Sequence, residues 1–341
     1  MIRSINSVAI IGVGRMGIRH ALGALDAKNI NKILLVDISE EALSNAENQL
    51  NQHPNFKILN YRLADNLKEI ESDIVIISAT ASARNTSCKL ALGLNPEFIL
   101  IEKPLGQSIK EVKNLKTVFR NFSGKVFVNL NTRMYPFIRK IKSDINNSPQ
   151  FKGPININFT GGALGIGANG IHYLDLLFFL YSTTKAKIAY ATIEPETIQS
   201  GRGPNFKDFG GLIVLEFEDE SGKYLGRGTL SLSSTSSVFG GWEIIGSNGR
   251  IRINELENQR VDIIRDEKSK LPISRYAADY LPPVIQEIES PLLNKLTTIW
   301  LEGLFEGKSE LPLLIDSFKV HDLMFEWLNK STEYKNNFPI T

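Results

Sequence analysis

Short apolar runs separated by helix-compatible stretches fill the first third of the chain. Val8 to Ile11, Lys32 to Val36, Lys57 to Tyr61, Asp73 to Ile77, Phe98 to Glu102 and Lys125 to Leu130 each read as a strand. Their Val/Ile/Leu-rich character suits strands buried on both faces of a parallel sheet. Helical stretches lie between them. Ile18 to Ala27 follows the first strand, and Ile109 to Asn121 opens with Ser108 and Glu111 at capping-box spacing. Such alternation predicts a doubly wound α/β sheet whose ligand lies outside the carboxyl ends of the strands.

After about Asn131 the pattern changes. Gly153-Pro154 punctuates the chain, and strand-like runs follow at Ile155 to Thr160, Gly211 to Glu218, Gly226 to Ser233 and Trp242 to Ile245. Gly246 to Gly249 reads as a turn into a further strand, Arg250 to Ile253. This predicts an α+β domain with a large, mostly antiparallel open sheet. Arg260 to Ser290 shows little period and reads as an excursion over the surface. Pro291 to Glu306 and Pro312 to Asn329 read as helices, each with a proline suited to a first turn. The expected division is residues 1–125 and 126–341. An open sheet of this size needs covering, which points to a homo-oligomer, a dimer or tetramer.

The first strand runs into Gly12-Val13-Gly14-Arg15-Met16-Gly17, a G-x-G-x-x-G with a strand before it and a helix after it. Gly12 permits the tight turn and Gly14 lets the backbone approach a pyrophosphate. Gly17 lets helix and strand pack closely, and the helix N-terminus offers free N–H groups to the phosphates. Asp37 ends the second strand twenty residues on, where a carboxylate accepts from ribose hydroxyls and repels a 2′-phosphate. Ile38, Ser39, Glu40 and Glu41 follow with no Lys or Arg, which favours NAD over NADP. Ser39 suits the cap of the next helix. The first domain is thereby read as a Rossmann dinucleotide-binding sheet.

Composition narrows the classes. At 341 residues there is room for two cores, and a net charge of +2 argues against a nucleic-acid binder with a broad basic face. The single cysteine, Cys88, excludes an intramolecular disulfide framework, and no His/Cys cluster has zinc-ligand spacing. No apolar stretch reaches the roughly eighteen residues of a membrane span. Met1 to Ser7 is mostly polar and leads into the first strand, so no signal peptide is expected. The expected setting is cytoplasmic, without membrane or metal.

Two further segments carry candidate chemistry. Lys103, in Glu102-Lys103-Pro104, sits at the carboxyl end of the fifth strand, aimed at the crevice. There it can hold a substrate hydroxyl and help move its proton; the bland alternative is a surface lysine at a strand exit. His172 and Asp175 follow Gly161-Gly162-Ala163 and Gly167-Ala168-Asn169-Gly170, and stand three residues apart on one helical face. A carboxylate there can fix the imidazole and leave its other nitrogen to exchange a proton, or the pair can satisfy itself within a core.

Together these residues resemble the Gfo/Idh/MocA family of sugar and cyclitol oxidoreductases over nearly the whole chain. The likeness rests on the fingerprint with His20, on Glu102-Lys103-Pro104, on Asn131-Thr132-Arg133, on Gly170-Ile171-His172-x-x-Asp175 and on Glu243 to Gly249. It implies that Lys103 contacts the reacting hydroxyl and the nicotinamide ribose, and that His172 is the general acid/base with Asp175 beside it. It places Ile38, Ala79, Thr80, Ser82, Asn85 and Glu102 among the cofactor contacts, and Asn131 and Arg133 in the substrate cleft. The chain departs from the family pattern at Ala81, usually Pro, at Asn85, usually His, and at Ala168, often an Asp. Asn169 beside it can hydrogen-bond a substrate hydroxyl but cannot replace a base; it also suits the N-cap of the next helix.

The expected function is an NAD-dependent oxidoreductase acting on a secondary alcohol or ketone of a sugar, cyclitol or nucleotide-linked sugar. The alternatives are a catalytically silent NAD-binding regulator or scaffold, motivated by Ala168, and a reductase of an imine or tetrapyrrole.

Overall fold

The structure, a computed structural model, describes residues 6–56, 59–63, 67, 69–162, 165–201, 203–268 and 279–341. Met1 to Ile5, Lys57, Ile58, Ala163 and residues 269–278, all within segments read from the sequence, lie outside the described residues. Two compact units emerge. The first comprises Met1–Met134, Pro291–Asp322 and Asn336–Thr341; the second comprises Tyr135–Ser290 and Leu323–Lys335.

In the first unit, β1 (Ser7–Ile11), β2 (Lys32–Asp37), β3 (Leu59–Leu63), β4 (Ile74–Ile77), β5 (Phe98–Ile101) and β6 (Lys125–Val128) form one parallel sheet. The order is β3-β2-β1-β4-β5-β6, so the direction of winding reverses between β1 and β4. Ligands bind at such a switch point, off the carboxyl ends of the strands. Every residue of β1, β4 and β5 is buried, as an unbroken apolar run demands of a central parallel strand. Four helices alternate with the strands: α1 (Arg15–Asp26), α2 (Glu40–Leu50), α3 (Arg84–Leu92) and α4 (Ile109–Val118). The Ser39 hydroxyl accepts from the Ala42 N–H and the Ser108 hydroxyl from the Glu111 N–H, caps worth about 1 kcal/mol each. Glu111 closes its half of the box on the Gln107 N–H, one residue before the expected position.

The second unit holds β7 (Ile155–Gly162), β8 (Lys185–Gln199), β9 (Lys207–Glu218), β10 (Tyr224–Ser233), β11 (Gly241–Ile245), β12 (Gly249–Asn254), β13 (Gln259–Ile264) and β14 (Val284–Glu287). They form one sheet in the order β14-β13-β12-β11-β7-β10-β9-β8, antiparallel except for the β7–β10 pair. Two helices accompany it, α5 (Pro136–Asn147) and α6 (Ile171–Tyr181). Nine of the eleven residues of α6 are buried, so this is a core helix rather than an amphipathic one. Tyr181 at its end stacks on Phe217 with centroids 4.3 Å apart, and Phe159 packs 4.9 Å from Trp242. Burying a side chain such as Phe217 contributes about 1.5–3 kcal/mol.

The chain then supplies α7 (Leu293–Phe305) and α8 (Leu314–Leu328). Pro291 and Pro312 precede these helices rather than occupying their first turns. The α7 helix crosses α1 so closely that a Cβ on Gly23 would strike the Asn294 carbonyl, and the Thr298 hydroxyl donates to the Gly23 carbonyl at 2.8 Å. This packing returns 291–322 to the first unit, a correction to a single division after residue 125.

The segment from Arg260 to Ser290 also needs correcting. Its described residues include most of β13 and all of β14, which extend the sheet by two strands. The period was hidden because a charged residue takes an inward position. Arg260 is buried, and its guanidinium reaches Asp262 at 2.7 Å and Asp144 of α5 at 2.5 Å. The fifteen-residue β8 likewise lacks a clean alternation, since register shifts interrupt its pairing with β9. Among the described residues no helix is long and apolar enough to cross a membrane.

Candidate active site

The glycine loop follows β1. Gly12 has φ +90°, a left-handed conformation suited to glycine, and its N–H donates to the Val36 carbonyl at 2.8 Å. A Cβ there would stand 2.6 Å from the Ala79 nitrogen. At Gly17 a Cβ would collide with the Gly12 carbonyl oxygen, so α1 packs against the loop only because Gly17 is bare. Gly14 is different: nothing lies within 4 Å of where its Cβ would be, and it caps α1 with no side chain bonded to the helix N-terminus. Open space over Gly14 at the N-terminus of a helix, whose first N–H groups have no acceptor within the helix, suits a pyrophosphate. Arg15, exposed, and Met16, half-buried, open the helix.

Asp37 reaches back to this loop. One carboxylate oxygen accepts from the Val13 N–H at 2.8 Å and the other from the Ser39 N–H at 3.1 Å. The acid is therefore held at the mouth of the loop by two backbone donors. Ile38 beside it is 88% exposed, an apolar surface next to the acid. Ala79 and Thr80 follow β4, half-buried, and the Thr80 and exposed Ser82 hydroxyls are 3.1 Å apart. Asn85 stands apart from this group. Its amide donates to the Glu111 carbonyl and accepts from Asn114, tying α3 to α4.

Glu102 follows β5 and is 1% exposed. His20 of α1 places Nε2 3.0 Å from its Oε1, and the Asn129 amide donates to the same oxygen at 2.5 Å. The other oxygen accepts from the Lys103 N–H at 3.3 Å. On its far side, the His20 Nδ1 is 2.8 Å from the Thr297 hydroxyl, which donates to the Leu293 carbonyl at 2.9 Å. Burial by itself pushes the Glu102 carboxyl up. The hydrogen bond and charge of His20, the Lys103 ammonium and the Asn129 amide outweigh it and bring Glu102 down to about 2. Glu102 is thus a fixed anion whose oxygen anchors the backbone of Lys103, itself half-buried at the strand's carboxyl end. Asn131 and Arg133 lie half-buried in the short 3₁₀ turn after β6.

Within the second unit, α6 carries the other candidate pair. Asp175 is buried and His172 half-buried, three residues apart on the helix. A wider π-helical turn, Ile166–Gly170, leads into it. Asp208 of β9 organises this turn, accepting from the Gly167 N–H at 2.9 Å and the Ala168 N–H at 2.7 Å. The Asn169 N–H donates to the Gly165 carbonyl within the same turn. Asn169 is therefore interior to a helical turn, and the reading of it as N-cap is corrected; Gly170 occupies that position. Next to His172, the Tyr173 hydroxyl donates to Glu255 at 2.9 Å, and the Trp242 indole donates to the same carboxylate at 3.2 Å. Burial raises the Glu255 carboxyl, against those two bonds.

Asn129, Thr297, Asp208 and Glu255 were not picked out from the sequence. Asn129 and Glu255 each directly follow a strand end, the one signal available; Asp208 and Thr297 have no local mark and gain meaning only through partners distant in sequence.

Residues 6–130 match the model of the Gfo/Idh/MocA oxidoreductase family, NAD-binding Rossmann fold. No curated protein matches the sequence significantly. Among solved structures, an oxidoreductase from Agrobacterium radiobacter in complex with NAD+, L-tartaric acid and magnesium superposes with a TM-score of 0.70 at 14% identity, covering 97% of both chains. Levoglucosan dehydrogenase in complex with NADH and levoglucosan gives 0.70 at 16%, covering 96% of this chain and 98% of that one. UDP-N-acetylglucosamine 3-dehydrogenase from Acidithiobacillus ferrooxidans gives 0.64 at 14%, covering 94% and 95%. At such identities the likeness shows the fold. The match over residues 6–130, which takes in the fingerprint and the Glu102-Lys103-Pro104 tripeptide, identifies that segment as an NAD-binding Rossmann domain of the Gfo/Idh/MocA oxidoreductase type.

Proposed function

We propose that the protein is an NAD-dependent oxidoreductase that moves a hydride between nicotinamide and a secondary alcohol or ketone of a sugar, cyclitol or nucleotide-linked sugar. The observation that carries this reading is Lys103 held at the carboxyl end of β5 by the buried Glu102 anion, in the same sheet as the open glycine cradle. Bound nicotinamide supplies the hydride acceptor. Lys103 holds the substrate hydroxyl by its ammonium, and His172, oriented by Asp175, exchanges that hydroxyl's proton. Asn131, Arg133 and Asn169 hydrogen-bond the remaining hydroxyls. Asp37 sets the preference for NAD, since a carboxylate bonded to Val13 and Ser39 opposes a 2′-phosphate. Neighbours named for levoglucosan and for UDP-N-acetylglucosamine support a sugar-like substrate.

The test is reduction of NAD+ and NADP+ against a panel of polyols, sugars and sugar nucleotides, guided by mass spectrometry of small molecules that co-purify. NADP+ outpacing NAD+ contradicts the cofactor preference. NAD+ binding without turnover on any member favours the second reading, a silent NAD-binding regulator. Ala168 motivates that reading, because a methyl group stands where relatives often carry a carboxylate. We further propose that the second unit's sheet pairs with another copy, since Asn156, Thr160, Arg250 and Arg252 are exposed along β7 and β12. Light scattering that returns a monomer mass at micromolar concentration rules this out.

A further inference from the structure

Two buried charge-bearing side chains in the first unit have no role in the reading above. Arg84, at the start of α3, is fully buried. Its guanidinium donates to the Ile77 carbonyl at the end of β4 (3.0 Å) and to the Pro104 carbonyl (3.3 Å). His321, on α8, is also fully buried. Its Nδ1 lies 2.8 Å from the Ser317 carbonyl, which can only accept, so Nδ1 carries the proton. The Nε2 lone pair is then free to accept, and it takes the Leu105 N–H at 3.1 Å. Burial, aided by the Arg84 charge and opposed by the Ser317 bond, brings the imidazole down to about 4, so it stays a neutral acceptor at neutral pH.

The two residues directly after Lys103 therefore have their backbone groups satisfied by side chains from α3 and α8, not by a neighbouring strand. Glu102 does the same for the Lys103 N–H on the other side. A guanidinium taken out of water costs several kcal/mol, which good hydrogen bonds only offset, and apolar residues of similar volume commonly serve packing alone as well. What apolar residues cannot do is fix a carbonyl and an N–H of an irregular turn.

We propose that Arg84 and His321 are positioning residues for Lys103, fixing the Lys103-Pro104-Leu105 turn so that the ammonium keeps one placement toward cofactor and substrate. This rests on the reading of Lys103 as the residue that meets the nicotinamide ribose.

The experiment follows Lys103 itself and needs no identified substrate. Lysines are reductively methylated with ¹³C, and the Lys103 signal is assigned by its loss in Lys103→Arg. In the unsubstituted protein NAD+ should displace that signal. In Arg84→Met and His321→Leu the displacement should fall at least twofold, while the NAD+ dissociation constant, set by the glycine loop, stays within about threefold. Arg84→Lys keeps a donor and His321→Gln keeps an acceptor near Nε2; both should recover most of the displacement. They also serve should either harsher variant fail to fold: a displacement in Arg84→Lys and His321→Gln that falls at least twofold, as in a Leu105 turn lacking the bonds, instead of recovering, overturns the proposal. An unchanged displacement in the variants, with only a lowered melting temperature, overturns the proposal and leaves a purely structural clamp. No displacement by NAD+ in the unsubstituted protein overturns the Lys103 reading instead, and is told apart by that control.

Discussion

His20 and Glu102, 82 positions apart in sequence, meet with Nε2 3.0 Å from Oε1 in a place where neither exposes more than 1% of its surface. The contact joins the helix of the glycine fingerprint to the strand end that carries Lys103. Two features that look independent in the sequence are thus one buried network, and its charge state is accessible to experiment.

Glu102 provides the first expectation. It titrates at about 2 in the folded chain against an ordinary 4.5, so between those values the unfolded chain binds more protons. Its contribution is complete above about pH 4.5 and is lost as pH falls toward 2, by about 3 kcal/mol in all. Glu102→Gln should flatten that limb of a urea-unfolding series. At pH 7 it should cost about 1.5–3 kcal/mol, because the charged acceptor shared by His20, Asn129 and the Lys103 N–H is lost. An acid limb identical in both proteins would contradict the network.

His321 titrates at about 4 when folded against 6.5 when free, so acid favours the unfolded chain over a higher window. Stability should decline as pH falls from about 6.5 to about 4, again by about 3 kcal/mol. The His321→Gln variant, which does not titrate, should remove this slope and leave the Glu102 limb below it. Melting temperatures across pH 4–7 are sufficient to read the difference.

Asp37→Ala should act on cofactor choice. The substitution removes the acceptor of the Val13 and Ser39 N–H groups, and with it the charge that opposes a 2′-phosphate. NAD+ affinity should fall about tenfold or more, the scale of charge-assisted bonds, and the preference over NADP+ should narrow. Fluorescence titration of both cofactors checks this. Equal affinities in the unsubstituted protein would sink the NAD assignment.

Lys103→Ala and His172→Ala should each lower kcat by about 10²-fold or more on the substrate found in the panel, with little change in NAD+ affinity. Near-normal turnover in both variants means that the acid–base pair lies elsewhere.

The sequence made the nucleotide-binding half legible because its signals are local. Gly12, Gly14, Gly17 and Asp37 fall within one βαβ unit, and a glycine that must approach a carbonyl oxygen leaves a trace in the pattern itself. Strands β7 and β9 to β12 of the second sheet were legible for the same reason, through alternation, whereas β8 was not, since register shifts break its period. Arg260 concealed β13, since an inward arginine bonded to Asp144 and Asp262 breaks the period that an apolar residue would have kept. His20–Thr297 and His321–Leu105 were beyond reach, because their partners stand 277 and 216 positions away. A histidine in a helix has no local mark that tells which carboxylate or amide will face it.

The return of α7 to the first unit has a consequence for how the chain is made. The β1–β6 segment leaves the ribosome first, yet Thr297, which engages His20, and Trp300, which packs 5.8 Å from Phe127 of β6, follow only after every strand of the second sheet. Until then the surface of α1 around Gly23 stays wet and the His20 ring lacks its hydroxyl. The nucleotide-binding half is begun first and completed late, through contacts whose large sequence separation slows folding. A nascent chain halted near residue 290 thus carries an uncovered apolar groove, the kind of surface that chaperones hold and proteases find.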